Sequence, residues 1–124
     1  MDRVLILKIL GKKDSVDLDD QIYNLRDITE ALREIIVFNL PIEEEFKAST
    51  IRRLKAIDNI IIPIKAKLDD ENSIQGFTNS KKFLSEFIND LSVNIKGLLS
   101  SFEPFDKKRF IYHSNFIMDL VLVY

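Results

Sequence analysis

Cysteine is absent from the chain, so it can form no disulfide, no thiolate metal site and no thiol nucleophile. That agrees with a reducing compartment, and the expected location is cytoplasmic. Glycine is scarce: Gly11, Gly76 and Gly97 stand alone in unrelated settings. Phosphate-binding loops need clustered glycines to bring backbone N–H groups to the anion, and the lysines after Gly11 have neither an earlier glycine nor a following Ser or Thr, so no nucleotide site is expected. A charge excess is missing too, with 18 Lys and Arg against 20 Asp and Glu and a formal net charge of -2. No global field draws the chain to nucleic acid or anionic lipid, and any such contact needs a local patch. Long apolar runs are also lacking. Lys8 interrupts the run at 4–7, no small-residue cleavage site follows, and a signal peptide is not expected. Residues 116–124 make up about half of the ~20 residues a membrane-crossing helix needs and include Asp119, so no transmembrane segment is expected.

What the chain does have is helical periodicity. Leu18, Ile22, Leu25, Ile28, Leu32, Ile35, Ile36 and Leu40 fall within one arc of about 140° on a helical wheel. Asp17 is the expected N-cap, with Asp19 and Asp20 in the first turn, and Pro41 stops the helix. A second helix is predicted from near Glu43, with Phe46, Thr50, Leu54, Ile57, Ile61, Ile64 and Leu68 as its stripe. Pro63 interrupts it and predicts a kink, or an end near Ile62 with one further turn. Residues 69–78 read as the one long loop, anchored by Ile74 and Phe77. A third helix is predicted from Ser80 as N-cap, with Phe83, Leu84, Phe87, Ile88, Leu91, Ile95, Leu98, Leu99 and Phe102 on one face.

Pro104 suits the first turn of a last element. The residues that follow are apolar nearly all round a helix, from Phe105, Phe110 and Tyr112 to Phe116, Leu120 and Leu122. Such a helix must be covered on most sides. The alternative is that residues 116–124 form a strand paired with residues 3–10, both being of strand length. The expected fold is a single all-α domain over residues 1–124, a bundle of four to five helices, because an isolated two-stranded sheet is marginal.

Catalytic chemistry finds little to work with. His113 is the only histidine; Ser114 beside it cannot face it on a helix, and Arg109 four residues earlier matches no motif. It reads as a packing or surface residue. The acidic run at 69–72 fails as a calcium loop, which would need glycine at Ile74 and an acid at Ser80. No metal, no cofactor and no small-molecule substrate is expected, and the chain is not expected to be an enzyme. Gly97 sits on the polar side of the third helix at a cost of about 1 kcal/mol relative to alanine, which points to a close backbone approach by another helix.

The apolar excess points elsewhere. Tyr23, Val37 and Phe38 lie off the first stripe, Ile62 and Val93 lie opposite theirs, and Phe116, Leu120 and Leu122 crowd the last element. Small monomers seldom expose large contiguous apolar area. The expected function is therefore binding of another protein, and of a second copy of itself, through Tyr23, Val37, Phe38, Phe116, Leu120 and Leu122. Such a chain would be a complex subunit or an inhibitor, antitoxin-type or immunity-type protein. The alternative is a nucleic-acid-binding bundle using Arg52, Arg53, Lys55, Lys65, Lys67, Lys107, Lys108 and Arg109.

Overall fold

A computed structural model describes residues 1–70 and 76–124. Among these residues are five helices: α1 (Arg3–Leu10), α2 (Lys12–Phe38), α3 (Glu44–Asp69), α4 (Thr78–Ser100) and α5 (Lys107–Val123). The expected all-α bundle is what forms. The strand alternative fails, since residues 3–10 and 116–123 are helical and no strand occurs among the described residues. Both terminal helices have side-chain caps: the Asp2 carboxylate accepts from the amides of Val4 and Leu5, and Asp106 accepts from that of Arg109. Each also buries a helical stripe, Ile6 and Ile9 in α1, and Phe110, Ser114, Ile117 and Val121 in α5.

Helices α2 to α5 close into a ring in which each packs on the next and α5 returns to α2. Polar ties show that neighbours run antiparallel. Lys67 pairs with Asp14 at 3.0 Å and Arg53 with Asp27 at 2.8 Å between α3 and α2. Ser92 donates to buried Asp58 at 2.7 Å between α4 and α3, and the His113 ring meets Asn94 at 2.9 Å between α5 and α4. Lys107 donates to Asn39 at 3.2 Å at one end of the α5–α2 seam, and the Tyr124 hydroxyl donates to Asp19 at the other. The core inside this ring includes Leu18, Leu25, Leu32, Leu54, Ile61, Ile88, Leu91 and Phe110, and α1 packs on α2 through Ile6 and Ile9.

Element boundaries differ from expectation in four places. The helix expected to be capped by Asp17 is α2 and starts at Lys12, after Gly11 at φ 82, so Asp17 lies inside it, paired with Lys13. Asp14 is buried at this end and is compensated by Lys67, so a polar position hides the helix from the sequence. Helix α3 continues through Pro63 to Asp69 and does not end near Ile62. Pro63 and Asn59 are both exposed, so the turn in which Pro63 supplies no donor to the Asn59 carbonyl lies on the solvent side of the helix. Helix α4 begins at Thr78 after Phe77, a non-glycine residue at φ 56, which places Ser80 in the first turn instead of at the cap. Pro104 precedes α5 in a cis peptide with Glu103, and the cap is Asp106.

Of the expected loop, Asp69 belongs to α3, Phe77 is exposed and is no anchor, and residues 71–75, including Ile74, lie outside the described residues. Among the described residues no helix is long and apolar enough to cross a membrane.

Candidate functional site

An apolar recess lies at the end of the bundle where the α2–α3 and α4–α5 links meet. Asn39 ends α2 in the left-handed conformation, and Pro41 prevents the helix from resuming. The amides of Asn39 and Leu40 both donate to the Ile35 carbonyl, which turns Leu40 and Ile42 toward the link opposite. That link folds back on itself, the Asp106 amide donating to the Ser101 carbonyl at 2.8 Å. Phe102 and Phe110 meet edge-on at 5.8 Å and Phe105 lies 5.4 Å from Phe110, so two buried rings floor the recess and a third, half-exposed, forms its rim. The resulting groove, about 370 Å³, is walled by Ile35, Ile36, Leu40, Ile42 and Ile111. Lys47 crosses its edge to Glu103 at 2.8 Å and Glu44 at 3.8 Å. That contact with Glu103 raises the Lys47 pKa and lowers the Glu103 pKa from their ordinary values.

The outer faces of α2 and α5 carry the rest of the apolar surface. Tyr23 is 71% exposed, Val37 63%, Phe38 68% and Leu122 80%. Phe116 is also exposed, and its ring lies 6.1 Å from that of Tyr112, an exposed neighbour not singled out in the sequence. Leu120 was expected at the interface, but it is partly buried against the core, because α5 turns it toward the bundle beside Ile117 and Val121. Ile62 and Val93 are exposed as the wheel implied.

Between α4 and α5 lies the only imidazole. An ideal Cβ at Gly97 would come within 2.3 to 2.6 Å of His113 Cε1, Nε2 and Nδ1, so the glycine is there to admit that ring, not the backbone of another helix. Asn94 donates its amide to the Asp90 carbonyl at 2.8 Å, which turns its oxygen toward His113 Nδ1 and places the ring proton on that nitrogen. Burial, helped by Arg109, lowers the His113 pKa from its ordinary value. Ser114 does not join it: its hydroxyl is buried in the core and has no hydrogen-bond partner among the described residues. Arg109 reaches the Ser100 hydroxyl at 2.5 Å.

The basic residues do not form one surface. Arg52, Arg53, Lys55, Lys65 and Lys67 lie on α3, which sits diagonally across the ring from the α5 that begins with Lys107, Lys108 and Arg109. Arg53, Lys65 and Lys67 are paired with Asp27, Asp69 and Asp14. Asp69 of the acidic run is held below its usual pKa by Lys65 and Ser85, and residues 71 and 72 of that run lie outside the described residues. No group of three potential metal ligands occurs among the described residues.

No protein-family model matches the chain, and comparisons with curated proteins and with solved structures likewise find no match.

Proposed function

We propose that this chain is a non-enzymatic interaction module that binds another protein through its apolar outer surface. One observation carries the reading: large apolar side chains at Tyr23, Val37, Phe38, Leu40, Phe105 and Leu122 are exposed on a bundle whose interior is already filled. Leaving them in water forfeits roughly 25 cal/mol for every Å² of apolar surface that a partner would cover. The groove between the two links supplies a recess for an apolar anchor, the arrangement that concentrates binding energy at protein interfaces. Its size and chemistry suit a subunit of a larger assembly, or an inhibitor, antitoxin-type or immunity-type protein. The neutral, packed state of His113 also favours a structural role over acid–base catalysis.

Affinity capture tests this with two baits, the wild type and a Leu40→Glu/Phe105→Glu double variant. A protein retained by the wild type and lost with the variant is expected, and identical retention by both baits would contradict the reading. A second reading, nucleic-acid binding, rests on Lys107, Lys108 and Arg109, which make no ion pair among the described residues and lie beside exposed Tyr112. No mobility shift even at low salt would end it.

A further inference from the structure

We propose that the outer face of α5 is a two-fold interface at which two copies of this chain pack antiparallel. This rests on the reading of the chain as an interaction module and names one partner. Six exposed residues define the face: Arg109, Tyr112, Phe116, Asp119, Leu122 and Val123. They lie within an arc of about 140° on the helical wheel, which also takes in exposed Lys108 and Asn115, and Arg109 stands at the margin of the arc nearest α4, where it reaches Ser100.

The order of these residues is self-complementary. Arg109 stands three residues before Tyr112, Tyr112 four before Phe116, and Phe116 three before Asp119. Reversing the helix end for end about the level of Ser114 exchanges the two aromatic positions and exchanges the cation with the anion. A second copy laid antiparallel at that level therefore sets Tyr112 against Phe116 twice and Arg109 against Asp119 twice, the symmetry a closed two-fold contact requires. Parallel packing would instead oppose like charges, which disfavours it.

The charges are available for this. Neither Arg109 nor Asp119 makes an ion pair among the described residues, and Arg109 uses a hydrogen bond to Ser100 without losing its charge. Besides this pair, the arc holds two further polar residues, Lys108 and Asn115, and its other members are Tyr112, Phe116, Leu122 and Val123. A contact one helix wide, about 26 Å long at 1.5 Å per residue, belongs to the small interface class, so dissociation is expected in the micromolar range.

Charge reversal with cross-mixing tests the geometry. Sedimentation velocity of the full chain, from about one to a few hundred micromolar, should show a reversible dimer for the wild type. Arg109→Asp and Asp119→Arg should each weaken it by roughly a hundredfold, since each places like charges together twice. Both should stay folded by circular dichroism, because an acid near the start of α5 and a base near its end suit the helix dipole. An equimolar mixture of the two variants should dimerise again, since every charge then faces its opposite.

A wild type that stays monomeric throughout overturns the proposal while leaving binding of a different protein intact. A wild-type dimer that survives either reversal, or a mixture that stays monomeric, overturns this face as the interface while leaving self-association intact.

Discussion

Replacing Gly97 with alanine should destabilise the bundle, although a helix interior ordinarily favours alanine over glycine by about 1 kcal/mol. The new methyl would come within 2.3 to 2.6 Å of three His113 ring atoms, well inside contact distance, so the ring must leave its notch. Its departure breaks the 2.9 Å bond to Asn94, a residue only 5% exposed, and strands the amide oxygen in the interior. An unpaired buried acceptor costs about 1–3 kcal/mol, and lost ring packing adds to this, so the propensity gain is outweighed by about 1–2 kcal/mol. Urea unfolding followed by circular dichroism should measure that loss. The same substitution in a His113→Ala background should instead stabilise by about 1 kcal/mol, because nothing then occupies the notch, giving a coupling of about 2–3 kcal/mol. A Gly97→Ala protein as stable as the wild type in the presence of His113 would refute this reasoning.

Three further outcomes follow from particular contacts. Ser92→Ala removes the hydroxyl that donates to buried Asp58 at 2.7 Å, leaving Lys96 at 3.9 Å as its nearest cation, and should cost about 1.5–3 kcal/mol by urea unfolding. Pro63→Ala restores a donor to the exposed turn above Asn59 and should raise stability by about 1–3 kcal/mol in a thermal melt. Because the folded state lowers the His113 pKa, the unfolded chain takes up its proton first as pH falls. The contribution of His113 to stability is therefore complete above its ordinary pKa of 6.5 and declines as pH drops below it, and a ring-proton NMR titration should show a midpoint under 6.5 that Arg109→Asp raises.

The helices with clean stripes were legible in the sequence because their register depends only on local spacing. Ile22, Leu25, Ile28 and Leu32, and likewise Leu54, Ile57, Ile61 and Ile64, are buried as the wheel places them. What the sequence obscured depends on contacts distant along the chain. Asp14 and Ser15 continue the buried side of α2 toward its start, and Asp14 is tolerated only because Lys67 arrives from α3. Phe83 follows the α4 stripe yet is exposed, and Leu40 falls beyond the end of α2, where it walls the groove instead of the core.

The candidate surface divides in the same way. Tyr23, Val37 and Phe38 stand out because they break the pattern of their own helix. The groove had no such signal, since it exists only where residues near 40 and residues near 105 meet. Gly97 was conspicuous as a helix-interior glycine, but only the antiparallel placement of α5 assigns its space to an imidazole.

Site-specific photo-crosslinking in the cells that make the protein measures most directly whether the exposed apolar residues are contact surfaces. A benzophenone side chain at Phe38 or Leu122 should give discrete adducts that unlabelled protein competes away, whereas the same group at Lys55 on α3 should give none. No adduct from either apolar position, or equal labelling from Lys55, would contradict the proposed role of that surface.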